Sequence, residues 1–180
     1  MKNRHMQQFV IDYLCGNVLE DDTIIDATAG NGNDTLLLAR LASFVFGFDI
    51  QKEALDNTKS LLEESGIDNF KLILDSHENI LNYVSSFKGV VFNLGYLPKG
   101  DKKITTKSST TVKTLKNLTA QMKKDNFIIM TCYRGHEEGL IEANEVLDFV
   151  KSLDDSFTIL KYEHINRQTT PFVLVIEKTK

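Results

Sequence analysis

Apolar residues along this chain fall into two alternating patterns. Short, nearly continuous runs of Val, Ile, Phe and Leu occur at 24–25, 44–48, 70–74, 90–94, 127–132, 157–162 and 172–176. Runs of this length and composition predict strands buried on both faces. Between them the apolar positions recur every three or four residues. Met6, Phe9, Val10, Tyr13 and Leu14 share one face of a helix predicted over about 5–15, which would serve as a lid or a packing element. Ala54, Leu55, Thr58, Leu61 and Leu62 do the same over 51–65, with Gly66 placed to end the helix. Further helices are predicted from 35 onward, over 78–87, over about 109–124 and over about 137–153. Strand and helix thus alternate five times, the signature of a mostly parallel sheet with helices on both faces. The last two runs are joined by H-I-N-R-Q-T-T-P, too short for a crossover helix, so they should pair antiparallel.

The first strand carries the most chemistry. It runs into D-A-T-A-G-N-G-N-D-T (26–35), where Gly30 and Gly32 flank Asn31 before the helix begins. Such a turn uses backbone conformations that glycine tolerates and aims helix N-terminal N–H groups above the strand end. A purely structural turn would use the same glycines. The second strand, however, ends in Asp49, nineteen residues beyond Gly30, where a carboxylate can take both hydroxyls of a ribose. A dinucleotide fingerprint would place Gly or Ala at position 35, and this chain has Thr35. An adenosine cofactor lacking a pyrophosphate fits better.

Composition narrows the picture modestly. With 180 residues, 42% hydrophobic and 26% charged, the chain predicts one soluble globular domain spanning 1–180. Cys15 and Cys132 form no C-x-x-C pair, so neither a disulfide framework nor a zinc site is expected, and a reducing compartment, the cytoplasm, is the simplest assignment. No run approaches the ~18 apolar residues of a membrane span. Charge changes the picture more. The net charge is −4, yet 98–124 holds eight lysines against the single acid Asp101, so that segment is +7 and the rest −11. A lysine-rich solvated helix face would look the same. Next to a strand-end pocket it predicts a track for an RNA backbone, with Lys99, Lys102, Lys103, Lys107 and Lys113 as the candidate phosphate contacts.

Together with G-F-D-I-Q (47–51), S-H (76–77), N-L-G-Y-L-P-K-G-D-K (93–102), G-H-E-E-G (135–139) and N-R-Q-T-T-P-F (166–172), the turn resembles a known family over nearly the whole chain. The architecture resembles class I S-adenosylmethionine-dependent methyltransferases, which are Rossmann-like with a seven-stranded sheet. The motifs resemble the small bacterial family labelled rRNA methylases, whose assigned activity is methylation of 5-aminomethyl-2-thiouridine at the tRNA wobble position. The resemblance implies S-adenosylmethionine as cofactor. Asp26, Gly30 and Gly32 would meet its methionine portion, Asp49 its ribose, and Asp75, Ser76 and His77 its adenine, with Asn31, Asn33 and Ile50 as further cofactor contacts.

It also implies a target site at Asn93 and Tyr96, which stand where amine methyltransferases carry N-P-P-Y. The two central prolines are replaced here by Leu94 and Gly95. Tyr133 and His136 follow the fifth strand and could reach the same site, although G-H-E-E-G could equally shape a loop and start a helix. A tRNA anticodon stem-loop is the implied partner, and whether a homodimer forms stays open. Other readings are an rRNA base methyltransferase, a small-molecule N-methyltransferase that would need no cationic track, and a non-enzymatic adenosine- or RNA-binding module. A pure binder has no use for the amine acceptors at the strand ends.

Overall fold

Continuous apolar runs must be covered on both sides, and the chain achieves this by laying helices on each face of one sheet. The computed structural model describes residues 4–94, 108–167 and 169–180. The elements are α1 (Arg4–Asn17), β1 (Thr23–Asp26), α2 (Asn33–Leu41), β2 (Phe44–Asp49), α3 (Lys52–Glu64), β3 (Phe70–Leu74), a 3₁₀ helix (His77–Asn82), β4 (Gly89–Asn93), α4 (Ser108–Gln121), β5 (Phe127–Cys132), α5 (Glu137–Lys151), β6 (Phe157–Tyr162) and β7 (Phe172–Lys178). The seven strands are ordered β3-β2-β1-β4-β5-β7-β6. The first five run parallel, and β7 is antiparallel to both β5 and β6. This is the predicted sheet, including its antiparallel end.

Alternate residues of each central strand feed two separate cores. Ile25, Phe92, Ile128, Met130 and Leu174 pack with Leu115 and Leu118 of α4 and Val146 of α5. Ile24, Val91, Ile129, Val173 and Val175 pack on the opposite face with Met6 and Leu14 of α1 and Leu38 of α2. Each buried Leu, Ile or Val side chain contributes about 1.5–3 kcal/mol. α1 is a packing element here: the Tyr13 hydroxyl donates to Glu177 on β7 at 2.8 Å, and Phe9 stacks on Tyr162 at 4.5 Å between ring centres.

One predicted helix is shorter than expected. The segment anticipated at 78–87 is a 3₁₀ helix ending at Asn82, because its buried residues His77 and Ile80 stand three apart, matching the tighter turn. Beyond it Val84 and Phe87 still reach the core from irregular backbone.

Strand order reverses between β1 and β4, where β1 is flanked by β2 on one side and β4 on the other. In open α/β sheets the crevice beyond the strand ends at this reversal is where ligands sit.

Candidate active site

Backbone geometry builds the crevice before any side chain is considered. Past β1 the chain stays wedged between its neighbours, Ala27 N–H donating to Val91 O at 2.9 Å and Ala29 N–H to Phe48 O at 2.8 Å. It then turns through Gly30 (φ 54°) and Gly32 (φ 81°) into α2. Gly32 is doubly constrained, since a Cβ there would also lie 2.9 Å from Thr58 Cα on α3. The Thr58 hydroxyl donates to Gly30 O at 2.9 Å, fastening the turn to α3.

Asp49 closes the turn from the other side. Its carboxylate accepts Gly30 N–H at 3.0 Å and Gln51 N–H at 2.9 Å. A carboxylate has about four lone-pair positions, so two remain for a vicinal diol. Ile50, next along, holds an apolar side chain 57% exposed at this edge, suited to cover a flat heterocycle. Asn31 is half-buried and Asn33 exposed on the same turn.

Asp26 lies deeper than a ligand contact requires. Only 1% exposed, it accepts Thr35 Oγ1–H at 2.6 Å and Thr28 N–H at 3.2 Å. Burial, with the charges of Asp34 and Asp49 adding to it, pushes its carboxyl up to about 7. Its place is that of a pillar under the turn, and Thr35, where a dinucleotide fold has a small residue, is the hydroxyl that satisfies it. Three acids around one turn favour a ligand carrying positive charge. A sulfonium cofactor with an α-ammonium group is such a ligand, and the glycine turn and the diol acceptor suit its remaining parts.

A second group of residues gathers at the ends of β4 and β5. Asn93 is held twice: its N–H donates to Thr28 Oγ1 at 2.7 Å and its side-chain amide to Asp34 Oδ2 at 3.2 Å. Burial raises the Asp34 carboxyl, and the Asn93 amide opposes that shift. Tyr133 is half-buried, its phenol raised by burial and then by the Asp34 charge. Asp34 thus bonds the Asn93 amide and acts on the Tyr133 phenol through its charge. His136 is the N-cap of α5, its Nδ1 accepting Gly139 N–H at 3.0 Å, so that nitrogen serves the helix start.

The residues assigned to the adenine separate. Asp75 is half-buried and accepts Asn79 Nδ2–H, Tyr83 O–H and Ser76 N–H, which hold its carboxyl below the usual range. Ser76 caps the 3₁₀ helix by accepting Glu78 N–H at 3.3 Å. His77 points inward. It is 8% exposed, edge-on to Phe92, with Nδ1 2.9 Å from Thr114 Oγ1. Thr114 already donates its hydroxyl to Thr110 O at 2.8 Å, so His77 must donate from Nδ1. Burial lowers its pKa to about 4, keeping the ring neutral. His77 is thus a core tie between the 3₁₀ helix and α4.

Of the cationic candidates, Lys113 lies on α4, largely exposed and 3.3 Å from Glu78. Lys99, Lys102, Lys103, Lys107 and the target-site candidate Tyr96 lie outside the described residues. Sequence reasoning missed Asp34, Thr28 and Thr58. Asp34 stood in the quoted motif without a role of its own, while Thr28 and Thr58 act on residues 65 and 28 positions away, a separation no local pattern marks.

The reversal of strand order, the glycine turn, the acid ending β2 and the antiparallel β7 together define a Rossmann-like, class I methyltransferase fold. The family model described as "Putative rRNA methylase" matches residues 45–178. The chain belongs to this family of S-adenosylmethionine-dependent methyltransferases. A "putative rRNA-methylase" from Clostridium thermocellum superposes with a TM-score of 0.92 at 38% identity, over 96% of each chain. A "putative methyltransferase" from Streptococcus mutans, solved in complex with SAH, does so with a TM-score of 0.88 at 38% identity, over 96% of this chain and 97% of that one. A chloroplastic tRNA (mnm(5)s(2)U34)-methyltransferase of Arabidopsis thaliana is 34% identical over 177 residues, which is 89% of this chain. The chain spans 65% of that relative's length.

Proposed function

We propose that this protein transfers a methyl group from S-adenosylmethionine to an exocyclic amine on RNA, the acceptor being 5-aminomethyl-2-thiouridine at the tRNA wobble position. The observation that carries the reading is Asn93, anchored through both backbone and side chain beside the glycine turn. The activity named for the Arabidopsis relative concerns the same nucleoside family.

In this reading Gly30, Asn31, Gly32 and Asn33 line the methionine portion of the cofactor, Asp49 takes the ribose diol and Ile50 covers the adenine. When bound, the cofactor supplies an electrophilic methyl on a sulfonium sulfur. Asn93 offers its carbonyl oxygen to an amine N–H, directing the nitrogen lone pair toward that methyl. Tyr133, with Tyr96, provides an aromatic face for an unstacked loop base, whose extraction costs at most a few kcal/mol. An amine with a lysine-like pKa of about 10.4 needs roughly 4.6 kcal/mol to lose its proton at pH 7. One attached beside a pyrimidine needs less, and the rate should rise with pH until the amine is neutral.

Lys99, Lys102, Lys103, Lys107 and Lys113 would follow the RNA backbone toward this site, and the compartment proposed is the cytoplasm. Among the described residues no helix is long and apolar enough to cross a membrane. The test is methylation with labelled cofactor of bulk tRNA and bulk rRNA from a strain lacking the protein, followed by nucleoside analysis. Label in a methylated 5-aminomethyl-2-thiouridine supports the reading; label confined to rRNA replaces it with rRNA base methylation.

A further inference from the structure

The Asn93 amide has a donor end and an acceptor end, and only one of them can orient an amine. Along its backbone, Asn93 has no freedom to slide: its N–H donates to Thr28 Oγ1 at 2.7 Å, and the next N–H, of Leu94, donates to Thr131 O of β5 at 3.0 Å. What remains is rotation of the side-chain amide. That choice is made by Asp34 in the first turn of α2, whose Oδ2 lies 3.2 Å from Asn93 Nδ2. An ionised carboxylate only accepts hydrogen bonds, so it draws the amide's NH₂ and repels its carbonyl oxygen.

We propose that Asp34 is a positioning residue for the methyl acceptor: by holding the Asn93 NH₂ it turns the Asn93 carbonyl oxygen toward the target site, making the site selective for acceptor atoms that carry a hydrogen. An amine donates an N–H to that oxygen and leaves its lone pair free. A ring carbon or an unprotonated ring nitrogen has nothing to donate and is not oriented. This selectivity rests on the amine-acceptor reading given under the proposed function.

Three variants test it: Asp34→Ala, Asn93→Asp, and the exchange Asp34→Asn with Asn93→Asp. Methyl transfer is measured on tRNA bearing 5-aminomethyl-2-thiouridine, and cofactor affinity by calorimetry with S-adenosylhomocysteine. Asp34→Ala should lower kcat about tenfold or more, with a clearly smaller loss of cofactor affinity from removing one of the three acids around the turn. Asn93→Asp alone sets two carboxylates against each other and should be the least active. The exchange restores one donor facing one acceptor, with a carboxylate oxygen toward the target, and should recover at least about tenfold over Asn93→Asp.

An exchange variant no better than Asn93→Asp overturns the proposal, as does a loss of cofactor affinity in Asp34→Ala equal to its loss of turnover. A measurement without RNA separates this from the functional reading. The Asn93 side-chain amide resonances of the cofactor-loaded protein should shift and exchange faster with solvent in Asp34→Ala. Unchanged resonances refute the Asp34 role. A wild-type protein that leaves this tRNA unmethylated while its Asn93 amide responds to Asp34 refutes the acceptor assignment and sustains the orientation.

Discussion

The two halves of the crevice are built by different means. On the β1–β2 side, backbone N–H groups and glycine conformations do most of the shaping, and Asp49 is fixed by the main chain of Gly30 and Gln51. On the β4–β5 side, side chains hold side chains: Asn93 rests on Asp34 and Thr28, and the Asp34 charge acts on the Tyr133 phenol. A cofactor common to many reactions can be held by a scaffold of backbone groups closed by one carboxylate, Asp49. Choosing an acceptor needs oriented side chains that can be altered one at a time without disturbing the turn. The prediction is that the two halves can be broken separately.

The largest effect should come from Asp49→Ala, which strips two backbone N–H groups of their acceptor and the ribose of its partner. With charge-assisted hydrogen bonds contributing about 1.5–3 kcal/mol each, cofactor affinity should fall at least about 100-fold. Calorimetry that finds wild-type affinity would move the ribose site elsewhere. Asn93→Ala should show the reverse profile. Turnover should drop about tenfold to a hundredfold while the cofactor Kd remains near wild type, and an equal loss of both would merge the two halves into one.

Asp26 sharpens the comparison through pH. An unfolded aspartate releases its proton near 3.9, whereas Asp26 keeps it up to about 7 in the fold. Between those values the native state binds the extra proton, so its stability falls as pH rises from about 4 to about 7. Asp26→Asn copies the protonated form. Its melting temperature should match wild type near pH 4, pull ahead as pH rises to 7, and keep a constant lead above that. A lead that does not grow across this window would mean that the carboxyl is not held up by burial.

The smallest effects should come from the lysines. Neutralising Lys102, Lys103, Lys107 or Lys113 singly should lower the salt slope of RNA binding by about 0.7 to 0.9 for each phosphate that the lysine had neutralised, with cofactor affinity unchanged. Binding curves that keep their slope after all four substitutions would detach the RNA from this segment.

Much of the fold was legible because strand and helix periodicities are local. Every predicted strand is present, and the βα alternation with its antiparallel close follows from run lengths and one short loop. The turn and Asp49 were legible for the same reason, being one βαβ unit. What escaped were contacts that only the folded sheet creates. Thr28 meets Asn93 because β1 and β4 are neighbours despite their separation of 65 positions. His77 was expected at the adenine and lies in the core, since a His in sequence gives no sign of the Thr114 hydroxyl waiting on α4. The helix expected at 78–87 shortened because apolar spacing of three suits a 3₁₀ turn as well as it suits an α-helix.

The position of β7 also constrains how the protein is made. Phe172 to Ile176 are 0% exposed, and the strand lies between β5 and β6 although it follows both in the chain. As a nascent polypeptide emerges, β5 and β6 are therefore complete before the strand that separates them exists. During that interval β5 presents an open row of N–H and C=O groups, and β6 has no neighbour with which to pair. Unpaired edges of this kind invite pairing with other chains. Seating β7 closes the β5 edge and gives β6 its partner, so the sheet is complete only once residues 172–178 are in place.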